Sequence, residues 1–486
     1  MSVDEDRTGL TSGQLTLSVF GAGTRRQLRV VARTAEELSD FEGVVSTSVN
    51  GSILEGSLSP LNAGAVRATV PGLQPRPVGL GTSAGVGDRL GLATPGHVKA
   101  FRTYGSGIMP VFAQQSIREM DRLGRTPQEV LDDATFGALE AGWDRQVGAD
   151  ADHLKTSADI DRCLEAGFTT FTIDPGEHVR DVTPSYQGNL TDVPWTALED
   201  DETSMLRRYA AKTIDLEEIA LTVSDVELRR AAHKYAAAVA YTVSMYRHLM
   251  TRADYPVEVE VAIDETESPT TIAEHVYMAT EMKRLGMQWV SFAPRYIGAF
   301  EKGVEYIGDT GVLADSLRQH FAVARALGPY KLSLHSGSDK FSIYALAADA
   351  TGGMLHLKTS GTSYLEALGV AALCAPSLFR EIYDVSRDAY QGARASYQVS
   401  ADRDRTPLSR DVADADLNAL VTSFDSRQIL HVGYGAVLTL RNEQGECWLN
   451  DELHSLLGVE SDRYEHALET HLGRHLAPLK GTSRHP

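Results

Sequence analysis

GMLHLKTS, residues 353–360, alternates in a way that decides the fold. In an extended strand Leu355 and Leu357 share one face, while His356 and Lys358 share the other. Such a strand needs an apolar layer on one side and a polar interior on the other. YKLSLHSGS (330–338) has the same design, with Leu332 and Leu334 opposing Ser333 and His335. The pentapeptide HLKTS also occurs earlier, at 153–157, where Leu154 points outward and His153 and Lys155 inward.

Working outward, short apolar runs with polar or glycine ends recur along the chain. They are VGLGTS (78–83), IMPVFAQQS (108–116), ADHLKTS (151–157), FTTFTIDP (168–175), VEVEVAIDET (257–266), MQWVSFAP (287–294) and the two runs above. Amphipathic stretches such as EHVYMATEMKRLG and GVLADSLRQHFAVARALG separate them. Eight strands alternating with helices predict an α/β fold, a (β/α)8 TIM-type barrel, over 74–376. A doubly wound open sheet is the alternative. The stretch between the fourth and fifth runs exceeds one crossover, so it predicts an inserted helical region. Residues 1–73 read as a small β-rich N-terminal element (QLTLSVF, QLRVVAR, GSILEGSL, AVRATV), followed by the proline-rich linker PGLQPRPVG at 71–79. Residues 377–486 read as a helical C-terminal extension packed outside the barrel, through FREIYDVSRDAY, DVADADLNALVTSF, NDELHSLLGV and RYEHALETHLGRHL.

Composition narrows the function classes. A net charge of −20 leaves no concentrated basic face for a nucleic-acid backbone. No run reaches 18 uninterrupted apolar residues, so no membrane span is expected. Cys163, Cys374 and Cys447 are isolated and form no CxxC pair, and the first residues are acidic; the expectation is a reduced, cytoplasmic protein. GLGTSAGVGDRLG (79–91) matches neither G-x-G-x-x-G nor a P-loop and reads as a tight first βα turn, so no nucleotide cofactor is expected.

In a barrel the chemistry sits at the C-terminal strand ends. There the sequence places His153 with Lys155, Asp174, Asp264 with Glu265, His335, and His356 with Lys358. Three inward histidines suit a divalent cation, Zn, Mn, Ni or Co. Taken singly, each is equally a hydrogen-bonded core residue or a lone acid/base. Asp152, beside His153, is a possible base, although strict alternation turns it to the opposite face. Glu265 is a second acid/base with Asp264 as its rival. Lys155 and Lys358 would hold a substrate anion. His454, His466, His471 and His475 fall in polar helices and read as surface residues, and His275 lies in a predicted helix.

The segments GLGTSAGVGDRLGLATPGH, PVFAQQSIREM, GADADHLKT, DETESPTT, APRYIGAFEKGVEYIGD, LHSGSDKFSIY and HLKTSGTSYLEAL together resemble the tagaturonate epimerases, from about 78 to 370. The resemblance implies a metal-dependent enzyme interconverting D-tagaturonate and D-fructuronate, with a small hexuronate as its partner. It implies His153, His335 and His356 as metal ligands, Asp152 as proton acceptor and Glu265 as proton donor. Inversion occurs at a hydroxyl carbon β to the ketone, whose C–H is not acidic, so retro-aldol cleavage and re-closure is the expected route. The rival expectations are a metal-dependent isomerase, epimerase or aldolase of another ketose, such as tagatose or fructose, and a non-catalytic sugar-acid binder.

Overall fold

The structure, a computed structural model, describes residues 9–480 except 50, 181, 183–185, 187, 210–212 and 217–219. Five strands, β1 (Leu10–Ser12), β2 (Leu15–Phe20), β3 (Gln27–Ala32), β4 (Val44–Ser48) and β5 (Gly51–Gly56), form an antiparallel sheet in the order β1-β2-β3-β5-β4. AVRATV, expected as a fourth run of this element, is instead part of the helix Pro60–Thr69. Ser59 caps it, with its hydroxyl accepting from Asn62 N at 3.3 Å, and Pro60 opens it. Asn62, Ala63, Val66 and Arg67 are its buried residues, a helical rather than a two-residue spacing.

The barrel closes as expected. β6 (Ser83–Gly85), β7 (Met109–Ser116), β8 (Gly148–Leu154), β9 (Thr170–Ile173), β12 (Glu258–Ala262), β13 (Ser291–Ala293), β14 (Lys331–Leu334) and β15 (Leu355–Lys358) pair in parallel, each with the next in sequence, and β15 closes on β6. The first strand lies later than expected, at 83–85 rather than 78–83. Residues 78 and 79 instead seal the barrel floor, their backbone N–H groups donating to the two Glu258 carboxylate oxygens at 2.9 Å each. The glycine-rich run beyond β6 is a turn held by Asp88, whose carboxylate accepts from Leu90 N, Gly91 N and Ala93 N.

Leu332, Leu334, Leu355 and Leu357 are fully buried under the surrounding helices. Each such side chain contributes about 1.5–3 kcal/mol relative to exposure, an upper bound because unfolded chains already bury part of it. The alternation that places them outside the barrel sends Lys331, Ser333, His356 and Lys358 inside, where they too are buried.

The insertion after β9 holds the helix Glu202–Tyr209, a two-stranded ribbon of β10 (Thr213–Asp215) and β11 (Ala220–Thr222), and the 28-residue helix Asp225–Arg252 with a Ser224/Glu227 capping box.

The C-terminal extension is helical as expected, with Pro376–Ala393, Trp448–Val459 and Ser461–Leu476 over three of the four runs, but it differs in detail. DVADADLNALVTSF forms 3-10 turns and only the short helix Asn418–Thr422. The unexpected helix Phe424–Thr439 is buried on almost every side, so it carries no apolar stripe to betray it. It packs over the barrel mouth, which His431 from this helix and Tyr397 line. His475 is fully buried, and His471 and His454 are partly buried, whereas His466 is exposed as expected and His275 is in a helix, Ile272–Arg284. Among the described residues, no helix is long and apolar enough to cross a membrane.

Candidate active site

The two HLKTS copies fold differently. In β15 the strand is regular, and His356 pairs in register with Ser83 and Ser333. In β8 the register against β9 shifts between Ala151 and Leu154, and His153 takes φ +54°. This bulge turns two consecutive residues inward, so Asp152 joins His153 at the mouth against strict alternation. It also ends the strand before Lys155. That lysine lies half-exposed on the rim, bonded to Glu177 Oε1 at 3.1 Å and 3.9 Å from Asp174 Oδ2, rather than inside the barrel with His153.

His153 and His335 face one another. His153 Nε2 and His335 Nδ1 are 3.2 Å apart, and each ring's far nitrogen is held by a carboxylate. Asp174 Oδ2 lies 3.2 Å from His153 Nδ1, and Glu260 Oε1 lies 2.5 Å from His335 Nε2. Asp264 Oδ1 reaches His335 Nδ1 at 3.2 Å. Donor atoms of Asp152, His153 and His335 all lie within 4.8 Å of one another. Imidazoles anchored from behind by carboxylates, with their facing nitrogens converging beside Asp152 and Asp264, have the donor chemistry of a divalent-cation site.

His356 is not part of that group. It lies one layer deeper, level with Ser333, with Nδ1 at 2.8 Å from Ser83 Oγ and Nε2 at 3.9 Å from Asp150 Oδ2. Burial, with Lys331 and Lys358 nearby, holds its pKa well below the usual histidine value.

Lys358 is no free anion clamp. Its ammonium lies 2.7 Å from Asp150 Oδ2, 2.7 Å from Asp152 Oδ1 and 2.8 Å from Glu260 Oε1, and donates to Thr172 Oγ1 at 2.8 Å. The acids around it divide. Burial pushes Asp150 up to about 6 despite Lys358. Burial acts the same way on Asp152, but Lys358, His153 and His335 outweigh it and hold Asp152 far below the usual range. Burial opposes charge on the two facing histidines as well. Even so, Asp152 and Asp174 raise His153 to about 10, and Asp264 and Glu260 raise His335 to about 9.

Glu265 follows the end of β12 and makes a bidentate pair with Arg118, at 3.0 and 3.3 Å. Burial would raise its pKa, but His153 and Arg118 keep it lowered. Asp264, turned toward His335, is likewise held far below its ordinary value against burial.

Two small hollows sit at the mouth, each with about 20 Å³ of free space. One is lined by Asp152, His153, Lys358 and His431, the other by Asp264, Glu265 and Arg295, and Lys302, His335 and Ser336 line both.

Sequence reasoning missed Lys302, Arg89 and Tyr397, which come from loops, Glu119, from the short helix Ile117–Leu123 after β7, and His431, from the hidden helix. Asp150 and Glu260 were legible, since each stands two residues from another acid, in DAD and EVE.

The sequence model of the UxaE tagaturonate epimerase family matches residues 12–479. A Thermotoga maritima protein named tagaturonate/fructuronate epimerase is 39% identical over 420 residues, covering 86% of this chain and 85% of its own. Crystal structures of the fructuronate-tagaturonate epimerase UxaE from Cohnella laeviribosi, native and with one glycerol, superpose with a TM-score of 0.89 at 32% identity. Each covers 97% of this chain and 95% of its own.

Proposed function

Because the chain belongs to the tagaturonate epimerase family, we propose that it interconverts D-tagaturonate and D-fructuronate by inverting the hydroxyl-bearing carbon β to the ketone. The observation that carries this reading is the convergence of His153 Nε2 and His335 Nδ1, 3.2 Å apart, beside Asp152 at the barrel mouth.

His153 and His335, with a carboxylate oxygen of Asp152, would hold a divalent cation. Bound there, the cation supplies Lewis-acid stabilisation of the oxygens that gain negative charge. His356 is left out of this set because its free nitrogen faces Asp150 rather than the other two rings.

The chain's own groups handle the protons. Asp152, fixed by Lys358 Nζ at 2.7 Å and Gln114 Nε2 at 3.3 Å, takes the proton from the hydroxyl of the carbon to be inverted. The C–C bond between that carbon and its α neighbour then breaks, leaving an aldehyde and an enediolate. Lys358, between Asp150, Asp152 and Glu260, offsets the charge gathered in the interior. The aldehyde turns its other face and the bond re-forms. Glu265, across the mouth, returns the proton to the new alkoxide. Arg118 keeps Glu265 ionised at rest, so Glu265 must take up a proton from solvent as the substrate loosens that pair, and Asp152 returns its proton to solvent to complete the cycle.

The test is turnover of tagaturonate by purified protein, with and without a chelator and in D2O. The expected result is chelator-sensitive epimerisation with no deuterium on the inverted carbon. Deuterium there refutes the retro-aldol route, chelator-resistant turnover refutes the cation, and no turnover with metal restored refutes the epimerase reading.

A further inference from the structure

Five cationic side chains other than the histidines line the two hollows or their wall; three are neutralised by carboxylates within the protein, and a fourth, Arg295, donates to the backbone carbonyls of Tyr296 and Gly298 at 3.0 Å each. Arg89 is buried, chelates Glu119 Oε1, donates to His431 O at 2.9 Å and lies over the Tyr434 ring at 3.7 Å. Arg118 pairs with Glu265, and Lys358 is bound by three carboxylates. Lys302 differs. Its ammonium donates to Ser336 Oγ at 2.6 Å, and among the described residues no carboxylate lies within ion-pair distance of it.

The surroundings of Lys302 are built rather than incidental. Ser336, its hydroxyl partner, holds φ +50°, a conformation that a non-glycine residue keeps only where its surroundings impose it. His431, 1% exposed, lines the same hollow with both ring nitrogens unpartnered. Gly361 permits that placement: with φ +89° it approaches so closely that a Cβ there would lie 2.5 Å from His431 Cε1. A free ammonium, a hydroxyl and an unpartnered imidazole are thus gathered beside His335.

We propose that Lys302, with Ser336 and His431, is the pole that takes the substrate carboxylate, and that Lys302 sets the preference for a hexuronate over a neutral ketohexose. This rests on the epimerase reading above. In such an acid the carboxylate carbon stands only two bonds from the inverted carbon. Its pole must therefore adjoin the acid/base pair, and Lys302 shares one hollow with Asp152 and the other with Glu265. The Lys302–Ser336 bond lies on the wall common to both hollows. An arriving carboxylate replaces the serine hydroxyl on the ammonium and so joins the two spaces into one.

The experiment measures kcat and KM for tagaturonate, and kcat/KM or the competitive Ki for neutral tagatose, in the wild-type protein, Lys302→Met and Lys302→Arg. Loss of a charge-assisted hydrogen bond predicts a KM for tagaturonate raised ~10- to 100-fold in Lys302→Met, with the uronate-over-tagatose preference falling by the same factor. Lys302→Arg keeps most of that preference, which a merely structural lysine would not require. A wild-type KM in Lys302→Met, or equal losses on both sugars, overturns the proposal. Absence of tagaturonate turnover by the wild-type protein is a different failure, that of the epimerase reading itself.

Discussion

Asp174→Asn is the most discriminating perturbation of the cation site because it changes almost nothing but a tautomer. Asp174 Oδ2 lies 3.2 Å from His153 Nδ1, and Asp174 Oδ1 accepts from Gly176 N at 2.8 Å. Asparagine matches the shape and keeps the Gly176 bond through its carbonyl, which leaves its NH2 facing His153 Nδ1. A neutral imidazole so placed accepts at Nδ1 and carries its proton on Nε2, the nitrogen turned toward His335. The lone pair a cation needs is then capped. Disturbing such an anchoring carboxylate typically costs 10- to 100-fold in metal affinity, about 1.4–2.8 kcal/mol. Calorimetric titration of metal-stripped protein with Mn²⁺ reads the effect directly, and Glu260→Gln, acting on His335 from 2.5 Å, provides an independent second case. His356→Ala separates this geometry from the three-histidine expectation, because a residue one layer deeper and bonded to Ser83 should leave Mn²⁺ affinity near the wild-type value. If Asp174→Asn and Glu260→Gln bind Mn²⁺ as the wild type does while His356→Ala loses it, the site assigned here is wrong.

Asp152→Asn removes the proposed acceptor, and kcat should fall ~10²- to 10⁴-fold, measured on tagaturonate at saturating metal; a kcat within a few-fold of wild type would remove Asp152 from the mechanism. Lys155→Ala should leave both kcat and KM close to wild type, since this ammonium bonds Glu177 at 3.1 Å on the rim and only flanks Asp174, at 3.9 Å; a large rise in KM would return it to the site. Stability should fall on acidification below about pH 6.5. Burial holds His97 and His320 near 4 and His475 near 3, so the unfolded chain binds protons there that the folded chain does not, and the loss continues as pH falls toward those values. Those three groups alone give a slope of up to about 4 kcal/mol per pH unit, offset in part by Asp150 and Asp133, which burial raises to about 6 and 7. Ring-proton NMR showing any of the three histidines protonated in the folded protein at about pH 6 would contradict their neutral burial.

The barrel was legible because its strands carry their two environments in a strict two-residue period. Leu355 and Leu357 against His356 and Lys358 leave little choice of face, and the same holds from Lys331 to His335. Where a segment is buried on every side the period disappears. The helix Phe424–Thr439 went unread for that reason, and with it His431 and the roof of the site. AVRATV was misread for another: five of its six residues are β-branched or small and fit a strand locally, while Ser59 and Pro60, the signals of a helix start, lie upstream of the run.

The repeated HLKTS marks the limit of local reading more sharply still. One pentapeptide adopts two conformations, regular in β15 and bulged in β8, so the bulge cannot be written in those five residues. It is written in their partners. Lys358 draws Asp152 inward at 2.7 Å, and Asp174 holds the His153 ring at 3.2 Å. In the second copy the hydrogen-bond partner of His356 is a neutral serine, Ser83, at 2.8 Å, with Asp150 no nearer than 3.9 Å, and the strand keeps its ladder. The lysine of one copy thus shapes the histidine of the other. His153 and Asp152 reach the mouth together because Lys358, in the centre of the barrel, needs the carboxylate. The physical requirement behind the site is therefore charge balance across the interior rather than the motif itself, and it explains why the first HLKTS supplies a histidine to the mouth and leaves its lysine outside.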